Sequence, residues 1–134
     1  MIDTLLVPKN AVTAKGEGPA IDVGAASNRV FLLTLSITNI VEQESLDVSI
    51  QGSADGSAFD AKPVAAFPQK FYRGDHPLLL DLRDRTAVNF VRAHWEVGRW
   101  GRGSETPMFE FQVAIKEVPQ DVLREATAQA QALV

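Results

Sequence analysis

The chemistry this chain could perform rests on few residues. His76 and His94 are its two histidines. Imidazole binds metals and exchanges protons near neutral pH. His94 lies between Arg92 and Glu96 on the polar side of an alternating segment, and His76 precedes Pro77. Neither has further ligands at metal spacing, so both are expected to be solvated surface residues. Asp75, Asp81 and Asp84 could form a general acid–base pair only by sharing a cleft. They stand among Arg73, Arg83 and Arg85, and surface ion pairing accounts for them. Ser53-Ala54-Asp55-Gly56-Ser57 bunches oxygen ligands as a calcium loop would, but lacks the spaced carboxylates such a loop needs. A turn explains every residue of it, since glycine accepts positive φ at no steric cost. The chain has no cysteine, which excludes a thiolate metal site, a disulfide and a cysteine nucleophile. No Gly-rich phosphate loop, G-x-S-x-G elbow or H-E-x-x-H helix occurs, so no enzyme activity and no cofactor are expected.

The segment most suited to recognition is Arg99-Trp100-Gly101-Arg102-Gly103-Ser104-Glu105-Thr106-Pro107. Trp and Arg are the side chains most enriched at binding hot spots, and loops on rigid scaffolds carry recognition. Two readings stay open. Trp100, with Arg99 and Arg102, is a contact platform for a protein or a sugar, or Trp100 folds back as a lid over the end of the domain. Tyr72 and Arg73, in a loop running to Pro77, join the candidate contact residues.

The elements that must position these residues are mostly strands. Phe31, Leu33, Leu35 and Ile37 alternate with Leu32, Thr34, Ser36 and Thr38, and a period of two marks a half-buried strand. Asn39 to Ser45 is expected to be a polar link. Leu46, Val48 and Ile50 then alternate with Asp47, Ser49 and Gln51, and Phe59 should fold back onto the sheet after the Asp-Gly turn. Pro63 and Pro68 confine the residues between them to an edge strand or loop. Leu78 to Leu82 is expected to be a buried strand. Val91, Ala93, Trp95 and Val97 oppose Arg92, His94 and Glu96, while Phe109, Phe111, Val113 and Ile115 alternate with Glu110, Gln112, Ala114 and Lys116. Thr4–Val7 and Ala20–Val23 add short strands. The expected fold is mainly β, an antiparallel, jelly-roll-like sandwich over residues 1–118. Residues 119–134 differ: Val122, Leu123, Ala126, Ala130 and Leu133 recur at helical spacing after Pro119. They predict a C-terminal amphipathic helix whose stripe needs a partner surface, on its own sandwich or on a neighbouring subunit.

Bulk composition bounds the partners. A chain of 134 residues makes one domain that needs no disulfide or metal staple. Its 17 acidic and 13 basic residues leave a net charge of −4, which argues against nucleic acid as a partner. The N-terminal apolar run is short and has no basic leader, and no stretch approaches the roughly 20 apolar residues of a membrane span. Synthesis in the cytoplasm with no membrane partner is expected.

Three segments together resemble a known group of proteins. They are Leu46 to Phe59; Leu80-Asp81-Leu82 followed by Asn89-Phe90-Val91-Arg92-Ala93-His94-Trp95-Glu96-Val97; and Pro107-Met108-Phe109-Glu110-Phe111-Gln112-Val113. In this order, across residues 20–117, they resemble small β-sandwich structural proteins of tailed bacteriophages and prophages. Such proteins decorate heads, cement capsids or build tails. The resemblance implies a non-enzymatic virion protein that forms homo-oligomers and contacts capsid or tail proteins. The Ser53-to-Phe59 turn and Phe90-Val91-Arg92-Ala93 are also similar to parts of discoidin-like sugar-binding sandwiches. The chain is short for that fold and lacks the cysteines many of its members use. Carbohydrate binding through Arg99, Trp100 and Arg102 is therefore the alternative expectation.

Overall fold

The computed structural model describes residues 2–26, 28–41, 44–60, 62–70, 73–99, 108–119 and 122. The strands are β1 (Asp3–Val12), β2 (Gly16–Glu17), β3 (Ile21–Asp22), β4 (Val30–Val41), β5 (Glu44–Ser53), β6 (Ala65–Ala66), β7 (Gly74–Asp81), β8 (Phe90–Arg99) and β9 (Met108–Glu117). They form two antiparallel sheets. The first has the order β1-β9-β4-β7; the second has the order β2-β8-β5-β6, with β3 also paired to β8.

Alternation in the long strands does what it predicts. Phe31, Leu33, Leu35 and Ile37 on β4, and Phe109, Phe111, Val113 and Ile115 on β9, are buried. So are Leu46, Val48 and Ile50 on β5, and Val91, Ala93 and Trp95 on β8. These residues of both sheets belong to one hydrophobic core, which makes the arrangement sandwich-like. Trp95 and Phe111 join the layers edge to face, with ring centroids 5.5 Å apart and planes at 79°.

Several expectations need correction. The polar link from Asn39 to Ser45 is mostly strand: β4 runs to Val41 and β5 begins at Glu44, in the other sheet. The loop expected from Tyr72 to Pro77 is strand from Gly74 onward, and β7 pairs with β4 from Val30↔Asp81 to Ile37↔Gly74. Pro77 fits there because β7 is an edge strand whose outer backbone has no ladder to serve. Leu78 to Leu82 is not wholly buried, since β7 has one partner strand and turns Leu79 outward, 59% exposed. The first short strand extends from Asp3 to Val12. Leu6 and Val7 are both buried there, which strict alternation forbids. Its register with β9 shifts on both sides of Val7, beside Pro8, which cannot donate a hydrogen bond. Among the described residues no C-terminal helix is seen. Of the expected 119–134 helix only Pro119 and Val122 are described, and Leu123, Ala126, Ala130 and Leu133 lie outside the described residues.

One acid occupies an inward position. Glu117 continues the buried parity of β9 and is 2% exposed. Its Oε1 accepts from the Ile2 N–H at 3.4 Å and its Oε2 from the Asn28 N–H at 3.3 Å. The carboxylate thus ties the chain's start and the approach to β4 to the end of β9. Arg29 does similar work with the opposite charge. Its guanidinium donates to the carbonyls of Leu82, Arg85 and Val88 at 3.2, 2.8 and 2.8 Å, holding the connection from β7 to β8.

Candidate functional site

The outer face of the second sheet gathers the polar chemistry. Arg92, His94 and Glu96 point outward from β8 because their neighbours Val91, Ala93 and Trp95 point into the core. The ladder sets Gln51 opposite Arg92, Ser49 opposite His94 and Asp47 opposite Glu96 on β5, and Glu17 of β2 opposite His94 on the other side. Arg92 donates from Nε to Gln51 Oε1 at 2.8 Å, and its guanidinium carbon stands 4.0 Å over the centre of the Phe59 ring. Phe59 does fold back onto the sheet, and its ring face meets the guanidinium head. The His94 imidazole lies between two carboxylates, Nδ1 at 3.4 Å from Glu17 Oε1 and Nε2 at 3.6 Å from Glu96 Oε1. Its side chain is 22% exposed, so His94 is less solvated than expected of a surface histidine. Gln69 donates to Asp47 at 3.0 Å. The result is an outer face on which donors and acceptors interleave.

The Ser53–Ser57 segment is a turn, though not a tight hairpin. Its chain first returns to β5 at Asp60, whose N–H donates to the Gly52 carbonyl at 3.1 Å, before β6 pairs with it from Ala65. Ser53 Oγ accepts from the N–H groups of Asp55 and Gly56, and Asp55 Oδ1 accepts from those of Ser57 and Ala58. These bonds, led by that from Ala58, hold the Asp55 carboxyl down at about 2. Gly56 has φ +83°, and a Cβ there would stand 3.2 Å from the Phe90 ring. Beside the turn, Ser53, Ala54, Asp55, Ala58, Asp60, Ala87 and Val88 line a shallow pocket of about 200 Å³.

The three aspartates are not brought together. Asp75 and Asp81 stand six residues apart along one strand, which separates them by roughly 20 Å at strand rise. Asp81 instead pairs with Arg83 at 2.7 Å, and that hydrogen bond is the main reason its carboxyl titrates below the ordinary range. His76 is a strand residue of β7 opposite Leu35 and is half-buried, rather than a solvated loop residue. Among the described residues, no three of His, Asp and Glu assemble as a metal site.

Of the recognition residues, Arg73 is described and exposed. Arg99 ends β8 with its backbone opposite Glu44. Trp100, Arg102 and Tyr72 lie outside the described residues. Sequence reasoning missed Glu17, Gln51 and Phe59 as partners of the β8 side chains. The parity of Arg92, His94 and Glu96 was visible, but their partners depend on register across β2 and β5.

The outer face of the first sheet is different in kind. Ladder register sets Leu5, Ala114, Thr34 and Pro77 in one row across β1, β9, β4 and β7. The next row has Asp3, Lys116, Leu32 and Leu79, with the charged pair beside the two leucines. Leu5 and Leu32 are each 41% exposed. Large hydrophobic side chains thus stand on this face with no layer over them among the described residues.

No known family matches this chain, and no curated protein matches it.

Proposed function

We propose that this chain is a non-enzymatic assembly protein of a tailed-phage virion, a head decoration or tail component working through protein–protein contacts. The observation that carries this reading is the set of exposed leucines, Leu5, Leu32 and Leu79, on the outer face of the first sheet, with Leu32 and Leu79 paired across β4 and β7. Clustered exposed apolar side chains mark interaction surfaces more often than they serve a monomer. The strand orders β1-β9-β4-β7 and β2-β8-β5-β6 add support, because they are those of a jelly roll, and such sandwiches recur in viral capsids and in lectins. The sequence resemblance favours the virion over the lectin, since fold analogy alone does not choose between them. Mass spectrometry of particles purified from an induced lysogen carrying this gene tests the reading. The chain should appear in many copies per particle, and its absence from purified particles would overturn the proposal.

A carbohydrate-binding module is the second reading, and the polar outer face of the second sheet favours it. Planar donors and acceptors beside an aromatic ring suit sugar hydroxyls. A glycan array should then show binding that weakens with Arg92→Ala or Trp100→Ala. Binding indifferent to both substitutions removes this reading.

A further inference from the structure

We infer that Asp55-Gly56 is a site of aspartate isomerisation that the folded chain holds shut, and that the Ser53 hydroxyl is the group that shuts it. The inference goes beyond the assembly reading, since it concerns the single chain.

The chain has one Asp-Gly step and no Asn-Gly step. At such a step a peptide nitrogen reaches the side-chain carboxyl most easily, because glycine places no side chain beside the attacking atom. The Gly56 nitrogen bonds to Asp55 Cγ, and the hydroxyl of the protonated carboxyl leaves as water with the amide proton. The product is a five-membered succinimide ring. Water then opens it. Cleavage between the nitrogen and Cγ restores aspartate. Cleavage between the nitrogen and the Asp55 backbone carbonyl carbon leaves isoaspartate, with the main chain running through Cγ and one atom longer. The water lost is regained, so the step needs no oxidant and no cofactor.

The turn opposes both reacting groups. The Gly56 N–H donates to Ser53 Oγ at 2.9 Å, which holds the proton on the attacking nitrogen and fixes its peptide plane. The same hydroxyl donates to Asp55 Oδ1 at 3.1 Å. The N–H groups of Ser57 and Ala58 reach that oxygen at 2.9 and 3.0 Å, so three donors grip it. They keep the carboxyl ionised, with its titration held down at about 2, and a carboxylate has no hydroxyl to lose. Ser53 is a firm anchor for this. It is buried, stands opposite Phe90 in the β5–β8 ladder, and its carbonyl accepts the Asn89 N–H at 2.9 Å. The other side of the step is close-packed as well, since a Cβ on Gly56 would stand 3.2 Å from the Phe90 ring. An added main-chain atom has to be taken up there, at the expense of the Ser57 and Ala58 bonds.

The test compares rates in folded and unfolded chains. Wild-type protein is held at about pH 6 in buffer and in guanidinium chloride. Isoaspartate at residue 55 is read by peptide mass spectrometry with electron-transfer fragmentation. The unfolded chain should accumulate it, and the folded chain about tenfold more slowly, as expected for about one net hydrogen bond holding the nitrogen. Ser53→Ala, set against its own unfolded rate, should lose most of this protection while its melting curve shows it folded. Asp55→Asn probes the nitrogen without altering Ser53. Attack there expels ammonia, and hydrolysis leaves the chain about one mass unit heavier. The folded variant should gain that unit about tenfold more slowly than the unfolded one. Equal folded and unfolded rates, in the wild type or in Asp55→Asn, would overturn the inference. So would a folded Ser53→Ala protein as protected as the wild type. Should Ser53→Ala fail to fold, the two Asp55→Asn rates decide.

Discussion

The two sheets share one core but face water differently. The outer side of the second sheet is paired almost residue by residue: Arg92 with Gln51 and Phe59, His94 with Glu17 and Glu96, Asp47 with Gln69. The outer side of the first sheet leaves Leu5, Leu32 and Leu79 in water. Both obey the same alternation, which sends every second residue outward. What differs is the chemistry placed at the outward positions. A face mostly paired by its own neighbours, with His94 Nδ1 left without a hydrogen-bond partner among the described residues, gains little from a cover, whereas exposed leucines gain when something covers them.

Breaking what the faces share has the largest expected effect. Phe111 is fully buried and meets Trp95 across the layers. Phe111→Ala should cost about 3–5 kcal/mol, measured by urea unfolding followed by tryptophan fluorescence. A loss below about 1 kcal/mol would mean that the layers are not joined there. Next is Glu117→Ala, which leaves the partly buried N–H groups of Ile2 and Asn28 without this side-chain acceptor. It should cost about 1–3 kcal/mol and speed amide exchange at both positions.

The outer faces should then separate in behaviour. Arg92→Ala removes a cation–π contact and a hydrogen bond from the second sheet, and should lower stability by about 1–2 kcal/mol. Leu32→Ser with Leu79→Ser alters an outward cross-strand pair and touches no buried core residue. In dilute solution each should change stability by no more than about 0.5 kcal/mol, while mass in solution falls. If the leucine variants unfold as readily as Arg92→Ala at the same dilution, the first face is part of the fold and the contrast disappears.

Much of this was legible in the sequence. Period two in residues 31–38, 46–51, 90–97 and 109–116 located the four long inner strands and their buried sides. It also put Arg92, His94 and Glu96 on one outward side. Three things were hidden. Which strands lie side by side depends on pairings between distant segments, so Glu17 and Phe59 could not be matched to β8. The extent of β7 was obscured by Gly74 and Pro77, which read as loop residues but are tolerated at an edge. Glu117 carries a charge at an inward position, and only the N–H groups of Ile2 and Asn28, 115 and 89 residues away, explain it.

The smallest expected effect concerns acid, and it compares one turn from each sheet. Asp55 follows β5 of the second sheet and is held at about 2 by backbone N–H groups. Asp81 ends β7 of the first sheet and is lowered by the Arg83 guanidinium. Both carboxyls have folded values below the ordinary aspartate value of 3.8. Each therefore adds stability that is fully present above the unfolded value and fades as pH falls through the folded one. For Asp55 that window runs from about pH 4 down to about 2. Asp55→Asn keeps an acceptor but cannot ionise, so its deficit against the wild type should be constant above pH 5 and close as pH approaches 2. Asp81→Asn should show a deficit of the same sign. Added salt should separate them, because it screens an exposed ion pair more than short bonds to N–H groups. At 1 M salt the Asp81→Asn deficit should shrink and the Asp55→Asn deficit should persist. Equal shrinkage in thermal melts across this pH range would mean that long-range charge, rather than the turn's own N–H groups, holds Asp55 down.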